Sequence, residues 1–391
     1  MDLFEKCFRY DEPQRAMEAG IYPYFHALET GQDTEVVMSG RNIIMLGSNN
    51  YMGLVSDERL KKAAIAAVEE FGTGCSGSRF LNGTLVLHEE LEREFAEFFR
   101  KDAALTFSTG FQTNLGAISG IVGRHDYIIN DSENHASIVD ATRLSYCKKD
   151  VKYEHSNMED LENKLARIPD DAGKLIVTDG VFSMSGEIAK LPKIVKLAKK
   201  YGARIMVDDA HGAGMVGEGG RGTASYFGLE DEVDVIMTTF SKSFGSLGGV
   251  IAASEAVINY VKHRSRPFIF SASIPPANAA AALEALRILK REPGRKDRLL
   301  EVANYMRKKL TELDIPIMEG ETAIIPVFTY TMERTFVAAK ALFENGVYVN
   351  PVVPPAVVEG QCLLRTSYTA THTFEQMDRA AAIIAQVLGS V

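Results

Sequence analysis

The sequence has little cysteine: four residues in 391, Cys7, Cys75, Cys147 and Cys362, far apart and without a C-x-x-C pair. That spacing argues against a disulfide framework or a cysteine-based metal knuckle, and it suits a reducing compartment. Eight scattered histidines without an H-E-x-x-H make a metal site unexpected. No G-x-S-x-G is present, which removes the nucleophile elbow of the serine hydrolases. Basic residues are not in excess: 43 Lys and Arg against 52 Asp and Glu leave a formal net charge of -9, a poor match to nucleic-acid phosphates. A local basic pocket for an anionic substrate is compatible with that balance. The N-terminal MDLFEKCFRYDEPQR alternates charged and apolar residues and lacks the apolar stretch of a signal peptide. No apolar run approaches the roughly 18 residues that a spanning helix needs. A cytoplasmic protein is expected, with loose association at a membrane surface left open.

Hydrophobic residues make up 46% and charged residues 24% of the chain, which is enough apolar material for two or three structural units. From about residue 100 to residue 253 one pattern recurs: a short apolar run stops abruptly in a polar cluster. ALTF leads to STGFQTN, YII to NDSENH, LIV to TDGVFSM, IMV to DDAHGAG, and VIM to TTFSKSFG. Such runs predict buried strands. Amphipathic stretches between them, MEDLENKLARI and LPKIVKLAKKYGA, predict helices covering both faces of a mostly parallel sheet. Ligands bind beyond the C-terminal strand ends of such sheets. One polar site assembled from five strand ends is therefore expected. Residues 1–45 predict an arm and a strand pair turning at Ser39-Gly40, residues 46–275 a large α/β domain, and residues 276–391 a smaller α+β domain.

Several rim residues could carry chemistry. Lys242, just past a buried strand among Thr238, Thr239, Ser241 and Ser243, is placed for Schiff-base chemistry if burial or nearby charge lowers its pKa. Most lysines are plain surface residues, but these hydroxyls suit a phosphate ester. Asp208 and His211 lie in VDDAH, where the acid at the strand end could pair with a protonated heterocyclic nitrogen; alone, a helix cap or buried ion pair reads as well. His135 could stack on a flat ring, although a lone histidine is more often structural. STGFQTN, at 108–114, opens a helix whose free N–H groups could bind phosphate, and it is equally an ordinary strand-to-helix turn. Gly212, Gly214 and Gly217 spell the dinucleotide G-x-G-x-x-G, but DDAH separates them from the strand and the following GEGGRGTAS is too glycine-rich for the required helix.

Taken in order, SENHAS, TDGVFSM, VDDAHGAG and TTFSKSFGSLGG resemble the α-oxoamine synthase family of fold-type I, aspartate-aminotransferase-like pyridoxal-phosphate enzymes. The resemblance runs from GSNNYMGL at 47–54 to LLRTSYTATHT at 363–373, and GTGCSGSRFLNGT and NPVVPPAV are most similar to its bacterial serine palmitoyltransferase branch. It implies that Lys242 carries the cofactor and moves protons at the substrate's Cα. Asp208 would keep the pyridine nitrogen protonated, His211 would bond the ring's phenolic oxygen, and His135 would stack on the ring. Gly110 and Phe111, with Asn114 nearby, would face the phosphate or ring edge. Thr239 and Ser241 would bind phosphate, and Ser183 would line the site. Ser271 would reach the partner subunit's cofactor, implying a homodimer with shared active sites. Asn50 and Tyr51 would lie near the substrate, and Arg365 would grip its carboxylate. The implied reaction is decarboxylative condensation of an amino acid, L-serine favoured, with a long-chain acyl-CoA or an acyl carrier protein. 8-Amino-7-oxononanoate synthase, glycine C-acetyltransferase and, from another class, an aminotransferase are the alternatives. Relatives often read SFASLGG where this chain has SFGSLGG, so Gly245 lacks a methyl close to the lysine.

Overall fold

The computed structural model describes residues 2–390. Its strands are β1 (Glu35–Met38), β2 (Arg41–Met45), β3 (Ala103–Phe107), β4 (Tyr127–Asp131), β5 (Lys149–Tyr153), β6 (Lys174–Asp179) and β7 (Arg204–Asp208). They continue with β8 (Val235–Thr239), β9 (Gly249–Ala253), β10 (Ile324–Tyr330), β11 (Val347–Tyr348), β12 (Asn350–Val352) and β13 (Cys362–Ser367). Two compact units result: residues 49–300 form one, and residues up to 48 join residues from 301 onward in the other.

The larger unit is built on a seven-stranded sheet of order β3-β9-β8-β7-β6-β4-β5. Strands β4 to β8 run parallel, while β9 lies antiparallel between β3 and β8. All six residues of β6 and all five of β8 are buried. Such continuous apolar strands are what a sheet covered on both faces requires. On one face Leu105, Ile128, Val177, Met206, Val235 and Ile251 share a core with Ala117, Ile118, Ile138 and Ala141, from the helices Gly110–Ile121 and Ala136–Leu144. This packing, at about 1.5–3 kcal/mol for each fully buried large aliphatic side chain, holds the strand ends level with one another.

In the second unit β1 and β2 form the hairpin turning at Ser39-Gly40, and β11 adds parallel to β2. A separate antiparallel sheet has the order β10-β13-β12. The helix Pro276–Arg291 lies within the larger unit and packs on the helices Glu58–Phe71 and Val86–Phe98. The observed division therefore falls at residue 300 rather than 275. The N-terminal strand pair is no separate arm, because β11 completes its sheet. No helix among the described residues is long and apolar enough to cross a membrane.

Candidate active site

A cavity of about 270 Å3 opens at the C-terminal ends of β4, β6, β7 and β8 and at the end of β3. The five expected strand ends all contribute to its lining: Gly110, Phe111 and Asn114 after β3; His135 after β4; Ser183 after β6; Asp208 and His211 at β7; Thr239, Ser241 and Lys242 at β8.

Lys242 is presented by a tight loop between β8 and β9. Phe240 and Phe244, two residues before and after it, are fully buried and pack on Phe95 with ring centroids 5.0 Å away in each case. Inside the loop Phe240 N donates to Gly248 O, Ser246 N to Phe240 O, and Gly245 N to Lys242 O. With both phenylalanines anchored in the core, the lysine between them is directed to the cavity. Its Nζ lies 2.8 Å from His211 Nε2, and His211 Nδ1 lies 2.7 Å from the Tyr51 hydroxyl. Tyr51 is fully buried and does not line the cavity, and its hydroxyl also donates to Asn49 Oδ1 at 3.2 Å. A neutral imidazole has one N–H and one lone pair. The ring can therefore accept at either nitrogen and donate at the other, and a change of tautomer transfers the demand for a proton between Tyr51 and Lys242.

A second network runs under the cavity. Asn114 Nδ2 donates to Asp208 Oδ2 at 2.6 Å and to Ser137 Oγ at 2.8 Å. Ser137 Oγ lies 2.7 Å from His135 Nδ1, and Ser137 N donates to the same nitrogen at 3.2 Å. His135 thereby caps the helix Ala136–Leu144 and accepts at Nδ1, which puts the proton of the neutral ring on Nε2. Asp208 Oδ1 takes the N–H of Ala210 at 3.0 Å. The His135 ring faces the open cavity on one side, yet the protein around it lowers its pKa; Lys242 adds to that and Asp208 opposes it. Asp179, which the sequence reading passed over, is the register partner of Asp208 and accepts the His135 N–H at 2.8 Å. Burial, then the Asp208 charge, raise its carboxyl well above the ordinary range. Its signal was available: it ends β6 as Asp208 ends β7.

The third wall suits an anion. Thr109 caps the helix Gly110–Ile121 through Gln112 N at 3.1 Å, while the Gly110 and Phe111 N–H groups at the helix start have no acceptor among the described residues. A Cβ at Gly110 would come 2.6 Å from Thr239 Oγ1, so only glycine lets the helix start approach this closely. Thr239 Oγ1 donates to Gly248 O at 3.0 Å and lies 2.9 Å from Ser241 Oγ. Thr239 thus holds Ser241 in place, and Ser241 is the hydroxyl able to turn to a ligand.

Other expected residues are placed differently. Asn50 turns its Oδ1 to Leu54 N and Val55 N and caps its own turn, outside the cavity lining. Ser271 Oγ accepts from Gln112 Nε2 at 3.1 Å. Arg365 is buried on β13 in the other unit, opposite Pro326 and Asn350. Gly212 and Gly222 wrap the buried Asp209 carboxylate, which takes the N–H and hydroxyl of Thr223 at 2.7 and 2.6 Å. Of the motif's glycines only Gly212 belongs to that packing; Gly214 lies against Ser243 and Gly217 against the Gly222 carbonyl, and the first α-helix to follow, Thr223–Tyr226, opens at Gly222, beyond the motif, so close packing accounts for the G-x-G-x-x-G without a dinucleotide. Gly245 has a φ of 58°, and a Cβ there would meet main-chain atoms of Leu54 and Val55 at 3.2 Å, so the missing methyl reflects close packing.

Comparison with known proteins shows the chain's family. The chain belongs to the aminotransferase class I and II family, whose model matches residues 41–384. It is similar to a Bacteroides thetaiotaomicron serine palmitoyltransferase, 51% identical over 378 residues, 97% of this chain and 96% of that one. A serine palmitoyltransferase from S. paucimobilis, solved with a bound PLP-myriocin aldimine, superposes with a TM-score of 0.95 at 35% identity, covering 100% of both chains. An 8-amino-7-oxononanoate synthase of Lysinibacillus sphaericus is 44% identical over 376 residues, 96% of each chain. The resemblance to the α-oxoamine synthases and the fold-type I architecture are both borne out.

Proposed function

We propose that the protein is an acyltransferase that condenses L-serine with a long-chain acyl-CoA, palmitoyl-CoA favoured, releasing CoA and CO2 and yielding an aminoketone such as 3-oxosphinganine. The observation that carries this is the Lys242 amine held 2.8 Å from His211 in the Asp208 cavity, in a chain half identical to serine palmitoyltransferases.

Pyridoxal 5'-phosphate fits the donor set. The orphan N–H groups at Gly110 and Phe111 and the Ser241 hydroxyl match a phosphate. Asp208, held by Asn114 and Ala210, matches a protonated ring nitrogen. Asn114 Oδ1 is buried without a partner at the same wall. When bound, this cofactor supplies an electron sink for the pair left at Cα.

The side chains do the remainder. Lys242 Nζ would hold the cofactor and take the proton from the amino acid's Cα, with His211 and Tyr51 setting its proton state. His135 would lie over the ring, kept in one tautomer by Ser137, and Ser183 would line the opposite wall. Arg365 would take the amino acid's carboxylate. The carbon–carbon bond forms as the thiolate leaves, the carboxylate departs as CO2, and a proton returns to Cα. Ser271 would reach the cofactor phosphate of a second copy, making a homodimer the working unit in the cytoplasm.

A visible absorbance titration with L-serine, L-alanine and glycine tests the reading, followed by thiol and CO2 release with palmitoyl-CoA. A band that moves selectively with serine supports it. Selective response to alanine, with turnover of a pimeloyl thioester, would transfer the assignment to 8-amino-7-oxononanoate synthase, which the 44% identity makes the second reading. Turnover of a 2-oxo acid without CO2 release would indicate an aminotransferase. A colourless protein that takes up no pyridoxal phosphate would overturn it.

A further inference from the structure

One half-buried charged cluster lies beside the cavity without lining it. His155 follows β5, with its side chain 17% exposed and its ring edge-on to Phe182, the centroids 4.4 Å apart. Nδ1 meets Asp131 Oδ1 at 2.8 Å and Nε2 meets Glu187 Oε2 at 3.1 Å, with Glu133 Oε2 3.7 Å from the same nitrogen. Carboxylates only accept, so both ring nitrogens must donate and the ring is an imidazolium. Burial opposes that charge, but the bonds to Asp131 and Glu187 outweigh it and push the pKa up to about 10.

Each bonded carboxylate belongs to a loop that runs into the cavity. Asp131 ends β4 and also takes Glu133 N at 2.9 Å and Ser156 N at 3.0 Å. The same loop then pins Asn134 to Val177 O and delivers His135. Glu187 closes a turn in which Phe182 N donates to Glu187 O and Gly186 N to Phe182 O. Ser183 stands in that turn. The other ionisable groups around the cluster are Lys190, near Glu187 with its Nζ on Ser156 O, and Tyr153 and Asp179, near Asp131. Without the imidazolium, three acids would face one another across the gap between the loops, and like charges would drive them apart.

We propose that His155 is a positioning residue, a charged bridge that fixes the wall carrying Ser183 against the wall carrying His135, so that the cavity keeps the width a flat cofactor ring needs. The inference rests on the pyridoxal-phosphate reading for its purpose, while the bridge itself belongs to the protein alone. It also sets apart two replacements: His155→Asn retains a donor towards Asp131, and His155→Gln retains one towards Glu187.

The test uses the full chain with and without pyridoxal phosphate. In the cofactor-free protein, amide hydrogen exchange is followed at 131–137 and 182–187. In the loaded protein, visible circular dichroism of the cofactor, kcat and KM are recorded. For His155→Leu, exchange in both loops is expected to quicken together by tenfold or more, the visible dichroism to diminish, and kcat to fall at least tenfold with acyl-CoA KM little changed. The Asn and Gln variants should recover part of each effect, and Glu187→Gln should reproduce it in milder form, so these three decide the matter if the Leu variant does not fold. A lower melting temperature with unchanged dichroism and kcat, or faster exchange confined to the residues next to 155, would overturn the proposal. If the wild-type chain takes up no cofactor, the functional reading falls, and the coupled exchange of the two loops still decides whether the bridge exists.

Discussion

The Tyr51 hydroxyl and His211 Nδ1 are joined at 2.7 Å, and the far edge of the same imidazole meets Lys242 Nζ at 2.8 Å. The same hydroxyl donates to Asn49 Oδ1 at 3.2 Å, so a fully buried phenol with two partners stands behind the imidazole that meets the Lys242 amine. Loss of one buried hydrogen bond is worth about 0.5–1.5 kcal/mol. Tyr51→Phe should therefore lower kcat by about three- to tenfold and displace the pH–rate profile, while cofactor content read from absorbance stays unchanged. A profile identical to wild type would show that Tyr51 does not tune the lysine.

Lys242→Ala should lose turnover at least about a thousandfold, since nucleophile and proton acceptor vanish together. Borohydride reduction followed by mass spectrometry gives the direct check. The wild-type chain should gain a cofactor-sized adduct at Lys242, and the variant should gain none while still taking up cofactor reversibly. An adduct at another lysine would displace Lys242 from its role.

Asp208→Asn preserves shape and removes charge. The carboxylate is 3% exposed and bonded by Asn114 and Ala210, so the fold should survive. A fall in kcat of about a hundredfold or more is expected, with a changed visible spectrum of the bound cofactor. Activity near wild type would remove Asp208 from the ring nitrogen.

Asp209, next in sequence, does something different. Burial raises its pKa to about 7, against the hydrogen bonds from Thr223. A carboxyl whose folded pKa lies above its unfolded value contributes stability that is complete below about pH 4 and is lost as pH rises through about 7. Asp209→Asn should therefore flatten the fall of melting temperature between those limits. Parallel melting curves for variant and wild type across that window would refute the assignment.

Much of the rim was readable because β3, β4, β6, β7 and β8 are short β-branched or apolar runs that stop at a polar residue, the pattern of strands in a doubly covered sheet. β5 was not readable: Lys149–Tyr153 carries charge at three of its five positions, as an exposed edge strand can. The division of the chain was hidden because β2 takes its parallel neighbour, β11, from the far end of the sequence, pairing Ile44 with Val347. No local pattern reports such a contact. Tyr51 was placed beside the substrate because its motif gives proximity, while its direction is set by a bond to His211 that only folding makes. Ser137 is hidden for a related reason: it acts through a helix cap, a relation that exists only once the neighbouring elements are in place, whereas Asp179 is legible as the acid that ends β6.

The position of β9 has a consequence for a chain still being made. Gly249 pairs with Phe107 on one side and Thr239 on the other, so the last strand of the sheet to be synthesised is the wedge that sets the Gly110 helix start against the Ser241 hydroxyl. A nascent chain that has emerged only to Lys242 already holds nearly every side chain of the cavity, yet it has nothing to space them. An aldehyde such as pyridoxal phosphate reacts with any accessible amine. Because Lys242 precedes the wedge, the cavity around it takes the width seen here only when the sheet is whole.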